Sequence, residues 1–491
     1  MKTLAVALLF GIASLAQAPQ NAAALAAVAG RGLVSSHANA DLEQLSDTIG
    51  ARVTGSPEAA KAVEWAQKTM RTMGLANVHA EPWTLDHGWR RISCEVAITA
   101  PRERKLHASS MGWVGSTPPG GVDAEIVQVN SYQLATETET HAGYWRGKVL
   151  LLRPSGKPAA NPLDSFTALA PFLQAAYRAG AVAVIAGQGS GASAGMNLTH
   201  TGVLGFNTVF QIPVVNLTAE DQLLLERLLD AAASRGAAVR LHVNVQNQVA
   251  GATPSANVVG EIPGSEHPEQ IVVIGGHLDS WDLSDGSTDD GTGAVGALAA
   301  AQAILESGQR PRRTVRVVLF TGEEQGLLGS LAYVHTHAGE MPNHIAALIL
   351  DEGQGPISEM QVGGHDAVMA KLEPLVGLLG AYPAPKLTDD SSFDTDSGPF
   401  ILAGLPGINL SQDSPNYGFT HHSAVDTFDH VRKDVLERNA SELGVMAYFI
   451  ADLPDRLDST WKPDQVRNKL QEQHLDGMLK AFGIWDRIGN P

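Results

Sequence analysis

The chain is 491 residues long, 44% hydrophobic and 18% charged, so it carries ample apolar material for a large core and lacks the bias of a disordered protein. Acids outnumber bases 52 to 34, a formal charge of −18 that argues against a nucleic-acid partner and against docking on an anionic membrane. The length exceeds that at which one core stops growing, so more than one domain is expected.

The first eighteen residues read as an export signal: Lys2, an almost wholly apolar run over 4–16, and the small-x-small sequence Ala16-Gln17-Ala18. The run is too short to span a bilayer. A secreted or periplasmic mature protein without stable membrane insertion is therefore expected. One cysteine, Cys94, leaves no internal disulfide and no multi-cysteine zinc site.

Residues 41–79 read as helical, with a turn and cap at Thr54-Gly55-Ser56-Pro57 and a stop at Gly74. Residues 83–111 read as strands. Short β-rich runs follow at 124–129, 148–152, 181–185 and 211–215, with a helix over 166–179. These place an inserted β-rich domain at 118–247, between an N-terminal part at 19–117 and a main domain at 248–455, with a helical tail at 456–491. From Asn257 strand, loop and helix alternate: strands at 270–274, 314–320 and 345–350, helices at 294–306 and 326–338. Continuous apolar strands in that succession predict an α/β fold, a doubly wound, mostly parallel sheet with helices on both faces. Its active site belongs at the carboxyl ends of the strands.

The residues at those ends fit that rule. His277-Leu278-Asp279 follows the first strand, Glu323-Glu324 the second and Asp351-Glu352 the third, while Asp289-Asp290-Gly291 precedes the first helix. Zinc accepts imidazole nitrogen and carboxylate oxygen, and two zincs about 3.5–4 Å apart can share one carboxylate. Five ligands then suffice, and hydrolysis also needs a base that binds no metal. Adjacent Glu323 and Glu324 point apart, so one can reach metal while the other faces water. Asp279, two residues beyond His277, can orient its imidazole. The last ligand is expected from the loop Thr420-His421-His422-Ser423, where spacing alone does not separate the two histidines.

These motifs, together with Trp281-Asp282, Asp426-Thr427, 45–50 and Thr54-Gly55-Ser56, resemble the family of di-zinc aminopeptidases and glutamate carboxypeptidases, and within it the carboxypeptidase Q branch. The resemblance covers roughly 40–455 and makes the insert similar to a protease-associated domain. It implies two Zn2+ per chain, with His277 and Asp351 on one zinc, Glu324 and His422 on the other, and Asp289 bridging. It implies Glu323 as general base, Asp279 as support for His277, and a possible homodimer. The implied activity is hydrolysis of a peptide or dipeptide substrate, with amino- and carboxy-terminal specificity both open.

Other readings predict other features. A serine hydrolase would use Gly191-Ala192-Ser193-Ala194-Gly195, but no helix follows it, as a nucleophile elbow requires. The single-zinc signature H-E-x-x-H is absent. A glutaminyl-cyclase-like enzyme would hold one zinc, and a non-catalytic peptide-binding protein should lack ligands or base.

Overall fold

The computed structural model describes residues 22–158, 162–186, 195–379, 382, 384–457 and 460–490. The export signal and residues 191–194 of the elbow-like sequence lie outside them.

Two eight-stranded sheets organise the molecule. The strands of the first, numbered in chain order, are β1 (Ala76–Leu85), β2 (Thr253–Ile262), β3 (His267–His277), β4 (Arg313–Phe320), β5 (His344–Ile349), β6 (Ile357–Gln361), β7 (Lys386–Thr388) and β8 (Gly407–Gln412). Their order is β1-β2-β4-β3-β5-β8-β6-β7. The centre, β4-β3-β5-β8, is parallel. β2 runs antiparallel to β1 and β4, and β6 antiparallel to β8, so the sheet is mixed. β2 departs from the expected direction because only residues 263–266 join it to β3, too few for the crossover that a parallel arrangement needs.

Alternation along β3 sends Val272 and Ile274 into one apolar layer and Ile271 and Val273 into the other. Helices Thr292–Glu306 and Lys433–Asp452 pack over the first layer, and Leu328–Thr336 over the second. Gly293, Ala294, Gly296 and Ala297 at the start of Thr292–Glu306 allow close approach. A Cβ on Gly293 would run into the Leu350 carbonyl and the Asp290 carboxylate. Upstream, Ser56 Oγ accepts from Ala59 N at 3.0 Å and caps the helix Pro57–Met73, which ends on left-handed Gly74.

The second sheet takes strands between Trp89 and Val249, from both sides of residue 118. Lys148–Arg153 pairs in parallel with Val122–Asn130 and Ala183–Ile185, and the long pair Trp89–Ala100 with Arg240–Val249 is antiparallel. Its apolar clusters are separate from those of the first sheet. Among the described residues no helix is long and apolar enough to cross a membrane.

Candidate metal centre

β3, β4 and β5 are adjacent and parallel, so their carboxyl ends open on one edge. His277 is the last residue of β3, Glu323 and Glu324 follow β4, and Asp351 follows β5. Asp289 lies just ahead of Thr292–Glu306, and His422 follows the short helix Tyr417–Thr420. The structure brings all of these together. His277 Nε2 lies 3.1 Å from Asp351 Oδ1, 3.3 Å from Asp289 Oδ1 and 3.9 Å from Glu323 Oε2. His422 Nε2 lies 2.9 Å from Glu324 Oε2 and 3.3 Å from Asp289 Oδ2. Asp289 thus touches both groups. His421 Nε2 stands further off, 3.9 Å from Asp289 Oδ2, its ring stacked on His422.

Three of these buried atoms, His277 Nε2, Asp289 Oδ2 and Glu324 Oε1, have no hydrogen-bond partner. Buried polar atoms rarely stay unpaired without a functional reason. His277, Asp289 and Glu324 offer ligand atoms within 4.8 Å of one another, as do Asp289, His421 and His422. The donor set of imidazoles and carboxylates, without thiolate, suits zinc.

Charge supports the same reading. Among the described residues these carboxylates have no lysine or arginine ion pair. Burial, reinforced by neighbouring carboxylates, pushes Glu323 and Glu324 well above the usual carboxylate range. Burial likewise raises Asp351 to about 6 against the opposing pull of His277. Asp289 is also buried, but His277, His422 and His421 outweigh that and hold it low. Burial would lower His277, yet Asp351 and its other acidic neighbours raise it well above the ordinary value. The cluster carries more negative charge than two or three imidazoles can balance, which a cation would relieve.

Further groups fix the candidate ligands. His277 Nδ1 donates to the Asp279 carbonyl oxygen at 2.9 Å, leaving the Nε2 lone pair free, while the Asp279 carboxylate stands 3.6 Å away. The backbone of Asp279, rather than its carboxylate, therefore makes the hydrogen bond to the imidazole. The carboxylate accepts from Thr54 Oγ1 at 2.7 Å and from the backbone N of Glu323 at 3.4 Å. Trp281 Nε1 donates to Glu324 Oε2 at 2.5 Å. Asp426 accepts from Thr288 N, Thr288 Oγ1 and Asp289 N at 2.6, 2.7 and 3.1 Å. Asp290 accepts from the backbone of His277 and Gly293, at 3.0 and 2.8 Å. It secures β3 to the helix, whereas Asp289 faces the histidines. Only its place in the family-like segment distinguished Thr54 in the sequence.

A cavity of about 560 Å³ opens onto this edge, lined by Glu323, Asp351, His422, Phe206, Phe393 and Tyr417 among others. Comparison with known proteins agrees with the geometry. Residues 257–446 match the model of peptidase family M28. Carboxypeptidase Q of Mus musculus is 32% identical over 416 residues, spanning 84% of this chain and 85% of the relative. The chain belongs to peptidase family M28. It is accordingly a metallopeptidase. Carboxypeptidase Q of Homo sapiens is 32% identical over 419 residues, 85% of each chain. The M28 peptidase precursor of Shewanella amazonensis superposes with a TM-score of 0.78 at 28% identity, covering 90% of this chain and 99% of that one. A zinc aminopeptidase of Bacillus subtilis shares the fold, with a TM-score of 0.64 at 20% identity over 87% of this chain and 97% of that one.

Proposed function

We propose that this M28 peptidase is a di-zinc exopeptidase that cleaves peptide bonds at chain ends or in dipeptides, with Glu323 as general base. The observation that carries the reading is Glu323 itself. It is a half-buried carboxylate on the cavity wall, 3.9 Å from His277 Nε2, beside five side chains whose donor atoms suit two metals. In this reading His277 and Asp351 would hold one zinc and Glu324 and His422 the other, with Asp289 shared between them. Bound zinc supplies acidified water and polarises the substrate carbonyl. Glu323 takes a proton from the attacking water and delivers it to the leaving amine. Asp279 holds the backbone on which Glu323 stands and the carbonyl that sets the His277 tautomer.

The small cavity suits a chain end. Glu352 and Asp394 also line it, and among the described residues no lysine or arginine does. That balance favours a substrate ammonium over a free carboxylate, hence an aminopeptidase of broad N-terminal specificity. The proposal further includes removal of 1–18 on export, a protease-associated type of domain at 118–247 and a homodimer. A peptide panel tests the specificity. Acetylation of the amino end should abolish cleavage, whereas amidation of the carboxyl end should be tolerated. Inhibition by a serine reagent but not by a chelator would overturn the metallopeptidase mechanism.

A further inference from the structure

The second sheet reaches into the metal centre. Arg91, on the strand Trp89–Ala100, grips Asp282 with two nitrogens, Nε to Oδ2 at 3.0 Å and Nη2 to Oδ1 at 2.8 Å. The same guanidinium donates to Ser110 Oγ at 2.9 Å, to the Ser110 carbonyl and to Thr201 Oγ1 at 3.1 Å. Five donor contacts engage its rigid fork, a role lysine cannot copy. Arg91 therefore joins two segments far apart in the sequence, the loop after β3 and the connection at 200–201.

Both segments reach the Glu324–His422 half of the centre. On the β3 side, Trp281 precedes Asp282, donates to Glu324 and lies 5.7 Å from the His422 ring, centroid to centroid. Trp89 and Trp113 enclose it, at 6.2 and 6.0 Å between ring centroids. On the other side, Thr201 N donates to the His422 carbonyl at 2.9 Å and His200 Nδ1 donates to the His421 carbonyl at 2.8 Å. His422 adopts a left-handed φ of 57°, which a side chain with a Cβ holds only when its surroundings impose it. The 200–201 segment supplies that restraint, and Arg91 ties it to the loop carrying Trp281. No comparable link from the second sheet meets His277 or Asp351 among the described residues.

We infer that Arg91 is a positioning residue for the Glu324–His422 half of the centre, and that the second sheet is a working part of the metal site. The inference rests on the two-zinc reading. Loss of the clamp should lower affinity for one metal and spare the other, because partners behind a ligand typically change affinity by about 10–100-fold.

The test is a zinc titration of chelator-stripped full-length protein by calorimetry, with circular dichroism to check folding and the visible spectrum of the cobalt(II) form to report geometry. Wild type should bind two equivalents. Arg91→Ala should bind one as wild type does and the other at least about tenfold more weakly, with a changed cobalt spectrum. Thr201→Val keeps the backbone donor to His422 but removes the acceptor for Arg91. It should shift the same equivalent in the same direction, with Arg91→Lys intermediate between wild type and Arg91→Ala. If Arg91→Ala does not fold, Thr201→Val and Arg91→Lys decide. Wild-type affinities at both sites in the folded variants, or equal weakening of both, would overturn the inference. A wild type that binds fewer than two equivalents would instead bring down the two-zinc reading and the inference with it.

Discussion

Thr54→Val is the substitution whose effect the structure specifies most closely. Thr54 and Asp279 are both fully buried, and the Thr54 hydroxyl donates to Asp279 Oδ2 at 2.7 Å. The other polar neighbours of that carboxylate stand further off, the Glu323 backbone N at 3.4 Å and His277 Nδ1 at 3.6 Å. A hydrogen bond to a charged group contributes about 1.5–3 kcal/mol, and stripping a buried carboxylate of its short donor costs toward the upper end. Valine keeps the shape, so we expect a loss of about 2–3 kcal/mol in urea unfolding of the metal-free protein. Thr54→Ser keeps the hydroxyl and deletes one methyl, a loss of about 1 kcal/mol. The order of the two variants is the discriminating result. If packing mattered more than the hydrogen bond, serine would be the worse replacement, and that outcome would refute the assigned role of Thr54.

Three further outcomes follow from the same structure. Glu323→Gln should retain its bound metal by atomic emission yet lose at least about two orders of magnitude in kcat, the usual share of general base catalysis; a metal-loaded variant with substantial turnover would remove Glu323 from the role. Gly293→Ala should cost about 3 kcal/mol or prevent folding, since the added methyl meets the Leu350 carbonyl and the Asp290 carboxylate, neither of which can retreat. Glu442, buried in the helix Lys433–Asp452, is pushed up to about 8 by burial, with Arg438 opposing. Its folded value lies above the unfolded one, so its contribution to stability is whole at low pH and is lost as pH rises toward 8. Glu442→Gln removes that loss. Its stability relative to wild type should climb by about 1.4 kcal/mol per pH unit through the neutral range, and parallel unfolding profiles would contradict the account.

The candidate ligand positions were legible because parallel strands announce themselves as continuous apolar runs and their ends carry the polar chemistry. His277, Glu323 with Glu324, and Asp351 each stand within a few residues of such a run. Strand direction and partnership were less legible. Ala76–Leu85 and Trp89–Ala100 are neighbours of similar texture, yet the first joins one sheet and the second the other. That choice depends on pairing with residues more than 100 positions away, which no local pattern encodes. The supports were hidden for the same reason. Arg52 spends its fully buried guanidinium on the carbonyls of Leu278, Gly50, Asp285 and Gly286, fixing the loop after β3 from over 200 residues away. Trp281 and Asp426 lay within motifs noticed in the sequence, but their partners Glu324 and Asp289 emerge only in three dimensions.

The central claim is that five side chains from separate strand ends and loops hold two cations. An anomalous difference map at the zinc edge, from crystals grown with zinc, tests it most directly. We predict two peaks about 3.5–4 Å apart on either side of Asp289, one against His277 and Asp351 and the other against Glu324 and His422. A single peak, or density away from Asp289, would contradict the account.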